Sequence, residues 1–223
     1  MPYSISFIKP AHCVSHDSAT DSLHFPLIYA GENSRGNSVV LRTCRDQDIV
    51  AHESGHAILH RLRPDLESYN TQFIWALHEA FGDITSQFLQ LEEMNSKELH
   101  KWLINPITCL SHDEEANTCL RNPTEASGLR TCEIHDLSQS LSRFVYRSAA
   151  ELYKWYKGPK NVLDYTKELF LMSVIETNFN DDPNAALADI ALNMVHFSRN
   201  DTRNDILINI YNETLPYLTG CSS

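Results

Sequence analysis

The sequence predicts an α+β fold that is predominantly α-helical, with most of its β structure gathered at the amino-terminal end. Three observations carry this. Short β-prone runs at Ser4 to Ile8, Leu23 to Ala30 and Ser38 to Thr43 are separated by turn-rich segments such as Gly31-Glu-Asn-Ser. From Asp46 onward, apolar residues recur at the spacing of a helix face. One polar, irregular stretch, about 105–131, interrupts that pattern; it contains Pro106, Pro123 and Gly128. The 223 residues suit one domain. Residues 1–100 are expected to supply a small sheet and two helices, and residues 101–223 a helical lobe.

The first helix is expected to start behind Asp46, whose carboxylate is suited to capping, and to stop soon after Arg63, where Pro64 cannot continue it. Ile49, Val50, Ala57, Ile58 and Leu59 form its apolar stripe. A second helix runs from Phe73 through Phe88 and Leu89 to about Leu91. A third opens near Asp136, read as its N-cap, and continues through Phe144, Val145, Ala149 and Leu152 to Trp155, before Gly158-Pro159. Three more are expected at about Asn161 to Thr177, Pro183 to Phe197 and Asn204 to Leu218. His196, beside Met194 and Val195, is expected to be a packed core histidine. No internal repeat or low-complexity tract is visible.

A formal charge of −11 argues against a nucleic-acid or anionic-membrane partner, because phosphate binding needs a basic surface. No apolar run reaches the roughly 18 residues of a membrane span, and Met1-Pro-Tyr-Ser shows neither a basic nor an apolar leader region. The expectation is a soluble monomer, cytoplasmic or exported by a non-classical route. Cys13, Cys44, Cys109, Cys119, Cys132 and Cys221 are even in number but form no C-x-x-C unit, so paired and free thiols both stay open. Asp113-Glu-Glu115 is read as a solvated charge run, with a calcium site as the less favoured alternative.

Chemistry concentrates in His52-Glu53-Ser-Gly-His56. A helix turns about 100° per residue, so His52 and His56 leave the same face one turn apart and can grip one metal ion. Glu53 lies beside that face, where a carboxylate reaches a metal-bound water without ligating the metal. On the second helix Glu79 and Asp83 are again four apart. Glu79 is placed to be the third ligand, and Asp83 to hold a ligand imidazole by its other nitrogen.

In these two stretches the chain resembles the thermolysin-like gluzincin metallopeptidases. Asp48 to His56 is similar to the family's Asp-x-x-x-His-Glu-x-x-His helix, and His78-Glu79-Ala-Phe-Gly-Asp83-Ile to its Asn-Glu-Ala-x-x-Asp-Ile helix. The resemblance implies a gluzincin fold with a reduced amino-terminal β lobe, a helical carboxy-terminal lobe and a zinc cleft between them. It implies one catalytic Zn2+ held by His52, His56 and Glu79, with Glu53 as general base and Asp83 supporting His52. It further implies that His135, in a His-Asp pair like that of fungalysin-like relatives, donates to the oxyanion. Tyr69 falls near the family's oxyanion tyrosine, and an ordinary surface tyrosine is an equal alternative. Arg121 and Arg130 are the candidates for an arginine that supports the histidine. The family's Asn-Ala strand motif is not clear here, and the segment between His56 and Glu79 is longer than the family norm. The implied activity is zinc-dependent endopeptidase cleavage of a polypeptide substrate. Two alternatives stay open: a catalytically weak or inactive metal-binding module, and a helical interaction domain that binds no metal.

Overall fold

The computed structural model describes the side chains of residues 46–106, 108, 133–156, 158–180, 182–198 and 203–215. It also describes the backbone of residues 201–202 and of six short strands. Among the described residues seven α-helices follow the chain order: α1 (Gln47–Leu62), α2 (Gln72–Glu93), α3 (Ser96–Ile104), α4 (Ile134–Leu152), α5 (Pro159–Glu176), α6 (Ala186–Phe197) and α7 (Asp201–Thr214). Single 3-10 turns at Pro64–Ser68 and Pro183–Ala185 lead toward α2 and into α6.

Among the described residues no β lobe is found, and the α+β assignment is corrected there to a helical fold. Of the residues with described side chains, 83% are helical and none lies in a strand. Among the described residues the strands pair two by two: β1 (Ser15–Asp17) with β2 (Ser22–His24), β3 (Tyr29–Glu32) with β4 (Ser38–Leu41), and β5 (Leu110–Asp113) with β6 (Thr118–Arg121). All three ladders are antiparallel, as in Tyr29 opposite Leu41. A two-stranded ribbon has no third strand to enclose an apolar face, so it does not make a lobe of its own. Of the expected run from Leu23 to Ala30, Leu23 and His24 fall in β2 and Tyr29 and Ala30 in β3, and the residues between lie outside those described. Ser4 to Ile8 lies outside the described residues.

The body is organised on α2, which is buried almost all round: Phe73, Ile74, Leu77, Ala80, Phe81, Ile84, Phe88 and Leu91 are all inside. A helix with so little polar face belongs at the centre of a core rather than on a surface. Thr71 caps its start, accepting from the Ile74 N–H at 3.3 Å. α1, α4 and α6 pack around it. α1 is capped as expected by Asp46, whose Oδ1 accepts from Asp48 N and Ile49 N. Its stripe is narrower than expected, because Ile58 is 45% exposed while Ile49 and Leu59 are buried.

Arg63, at the end of α1, ties that helix to the end of α5. Its guanidinium donates to the carbonyls of Val174 at 2.6 Å and Thr177 at 2.8 Å, and lies over the Phe179 ring at 4.5 Å. A cation here meets the negative end of a helix. The same group grips Asp65, and chiefly through that hydrogen bond holds its carboxyl below the ordinary aspartate value.

Two further readings change. α4 starts at Ile134 with Glu133 as its cap, so Asp136 sits in the first turn instead, and the helix ends at Leu152 rather than Trp155. His196 is exposed, since the core face of α6 is carried by Leu187, Ile190, Ala191 and Met194. Among the described residues no helix is long and apolar enough to cross a membrane.

Candidate metal centre

The α1 and α2 helices meet at two glycines, and that meeting builds the site. A Cβ on Gly55 would stand 2.8 Å from the Gly82 Cα, and one on Gly82 would stand 2.6 Å from Nδ1 and 2.7 Å from Cε1 of His52. All three distances are shorter than a Cβ contact tolerates, so the crossing exists only because neither residue has a side chain. The space left over is occupied by the His52 imidazole.

His52 is 5% exposed and Asp83 3%. The imidazole Nδ1 lies 2.9 Å from Asp83 Oδ1. The carboxylate faces the ring on its Nδ1 side and leaves Nε2 turned toward His56 and Glu79. Asp83 is itself anchored, because its backbone carbonyl accepts from the buried Tyr146 hydroxyl on α4 at 3.1 Å.

His52 Nε2 and His56 Nε2 are 3.1 Å apart. Glu79 reaches across from α2, with Oε2 3.5 Å from His52 Nε2 and Oε1 3.7 Å from His56 Nε2. A tetrahedral zinc with bonds of about 2.0 Å sets its ligand atoms roughly 3.3 Å apart. The two imidazole nitrogens lie close to that spacing, and Glu79 approaches each of them with a different oxygen.

Glu53 is also near: His52, Glu53 and His56 offer donor atoms all within 4.8 Å of one another. Both carboxylates are therefore candidates for the third ligand. Glu79 is the better one, because it comes from the facing helix and addresses both imidazoles. Glu53 follows His52 directly and leaves the helix about 100° away from it. The Glu53 side chain is nevertheless buried beside the cluster.

His135, on the first turn of α4, brings a third imidazole. Its Nε2 lies 3.4 Å from Glu79 Oε2, while its Nδ1 is held 2.8 Å from Glu133 Oε1. The other oxygen of Glu133 accepts from the His135 backbone N–H at 2.9 Å. Glu133 thus caps the helix and clamps the ring with one carboxylate. Burial pushes its carboxyl up, but the hydrogen bond and charge of His135, with the backbone N–H groups of His135 and Asp136, outweigh burial and hold it below the ordinary glutamate value.

His52, Glu53, His56, Glu79, Asp83 and His135 are therefore brought together. Tyr69 is placed differently: its hydroxyl donates to Asn180 Oδ1 at 2.5 Å, on the loop after α5. Arg130, Glu114, Glu115 and the cysteines other than Cys119 lie outside the described residues, as do the side chains of Arg121, Asp113 and Cys119. Gly55, Gly82 and Glu133 had no assigned role from the sequence. The glycines carry a sequence signal, since each sits inside a motif on a helix that otherwise disfavours it; Glu133 carries none, because Asp136 is an equally acceptable cap.

No protein-family model, curated protein or solved structure matches the chain in the three comparisons made.

Proposed function

We propose that the protein is a zinc-dependent endopeptidase of the gluzincin type, with His52, His56 and Glu79 holding one zinc ion. The observation that supports this reading best is the convergence of Glu79 on both imidazoles, together with the contact of His52 with Asp83. A structural zinc site has no use for a further acid beside its ligands, and here Glu53 is buried next to them. A zinc ion bound there supplies a water of lowered pKa and polarisation of the scissile carbonyl. Glu53 takes a proton from the attacking water and returns it to the leaving amine. As an imidazolium, with Nδ1 held by Glu133, His135 donates from Nε2 to the carbonyl oxygen as charge builds on it. Asp83 keeps His52 in the ligating tautomer throughout.

The inactive metal-binding reading draws on the ribbons: no multi-stranded sheet is present among the described residues to pair with an extended substrate. One pair of variants separates the two. Zinc content is measured by elemental analysis, and cleavage by a peptide-library digest with and without chelator. Glu53→Gln is expected to keep one zinc per chain and to lose cleavage by at least about a hundredfold, the scale of a general base. Glu79→Gln is expected to lose the zinc. Wild-type zinc binding with no cleavage of any peptide would return the inactive reading, and loss of zinc from Glu53→Gln alone would make Glu53 the third ligand.

A further inference from the structure

Among the described residues Tyr146 is the only fully buried tyrosine; the others are half-buried. It lies on α4 in a run whose inward side is apolar, with Phe144, Val145 and Ala149 also inside. A phenylalanine would fill that space, and a buried hydroxyl costs free energy unless it finds an acceptor. The acceptor is the Asp83 backbone carbonyl on α2, at 3.1 Å. A helical carbonyl serves the N–H four residues on, and its second lone pair is open to a donor from another helix. The Tyr146 ring is steadied in turn from α3, edge-on to Trp102 with ring centroids 6.2 Å apart and planes at 81°. What this bond holds is the weakest turn of α2. Gly82 has no Cβ because the His52 ring stands in its place, and glycine is the residue least able to keep a helical backbone by itself. The next residue is Asp83, whose carboxylate lies 2.9 Å from Nδ1 of that same ring.

We infer that Tyr146 is a positioning residue for the metal centre: its hydroxyl holds the turn that aims Asp83 at His52, and through His52 it sets the affinity for zinc. This rests on the metal centre proposed above and not on peptide cleavage. Tyr146 supplies no ligand. A direct partner of a ligand imidazole is worth about 10- to 100-fold in metal affinity. A group one contact farther out carries part of that, and carries it only while Asp83 is there to be aimed. Tyr165 offers a matched contrast. Its hydroxyl also donates to a backbone carbonyl, that of Ser198 at 2.9 Å, but the bond joins α5 to the end of α6 and holds no proposed ligand or ligand partner.

The test reads zinc affinity on the full chain by competition with a chromogenic chelator, beside denaturant unfolding of the same samples. Tyr146→Phe is expected to weaken zinc binding about three- to tenfold, and Asp83→Asn about 10- to 100-fold. In Tyr146→Phe/Asp83→Asn the loss is expected to equal that of Asp83→Asn alone, because the two residues act in series. Tyr165→Phe is expected to lower stability and leave zinc affinity unaltered. Replacing Tyr146 by 4-aminophenylalanine keeps a donor and is expected to restore the affinity. If Tyr146→Phe does not fold, 4-fluorophenylalanine at the same position, which fills the place of the hydroxyl without donating, is measured instead. Lower stability of the Tyr146 variant with unaltered zinc affinity makes the hydroxyl purely structural; that overturns the inference and leaves the metal centre standing. Additive losses in the double variant overturn the route through Asp83. A wild-type chain that binds no zinc overturns the metal centre and this inference together.

Discussion

The site has two halves built on opposite terms. On one side the His52–Asp83 pair is sealed between α1 and α2, with side chains 6% and 3% exposed. On the other the His135–Glu133 pair stands at the open start of α4, with side chains 40% and 44% exposed. The buried half is held by packing and by partners distant in sequence. The open half is held by a local clamp, two residues long, that needs nothing but the turn of a helix. On the proposed reading, packing fixes His52 as a metal ligand without adjustment, whereas the clamp at the mouth leaves the His135 imidazole able to meet a substrate. Damage to the first half should therefore reach the metal and the fold, and damage to the second should reach turnover alone.

Gly82→Ala tests this most severely. The added Cβ meets three ring atoms of His52 at 3.0 Å or less, and the ring cannot retreat without leaving Asp83 and Glu79. Zinc affinity is expected to fall by about 10- to 100-fold, as when the support of a ligand is lost. Denaturant unfolding should show a loss of about 1–3 kcal/mol from overpacking. Unaltered zinc titration and stability would mean that the helix crossing is loose, and the contrast between the halves would fall.

A smaller effect is expected from Glu133→Gln. It removes the charge that clamps the His135 ring but keeps a side-chain oxygen for the helix cap. Turnover should drop by about tenfold, with the zinc content unchanged. If zinc falls with turnover, the open half is also part of the metal's support. Tyr69→Phe should be the mildest. The hydroxyl it removes serves Asn180, so stability is expected to fall by no more than about 0.5–1.5 kcal/mol, and cleavage should be unaltered. A hundredfold loss of cleavage would show that Tyr69 leaves Asn180 for the substrate.

Legibility in the sequence divides along the same line. The first and second helices were readable because capping by Asp46, the stop at Pro64 and the run from Phe73 are local signals, and the structure has α1 and α2 over those stretches. The β runs are strands in part, β4 lying within Ser38 to Thr43, whereas the lobe expected of them is not found among the described residues. Runs such as Leu23 to Ala30 have β character, but a sheet needs partners, and β propensity says little about whether they arrive. α4 was shifted at its start because Asp136 and Glu133 are both acceptable caps, and the choice depends on which carboxylate also finds the His135 ring. His196 was placed in the core by its apolar neighbours, although the helix turns it outward.

By itself the sequence determined that His52 and His56 share one helix face, as Glu79 and Asp83 share another, because four residues of α-helix always complete about one turn. Only the tertiary structure decided that these faces meet, that His135 joins them, and that Tyr69 turns to Asn180. Those contacts depend on how closely α1 and α2 approach, and that distance is set by the missing side chains of Gly55 and Gly82, which make room for an imidazole only once both helices are in place.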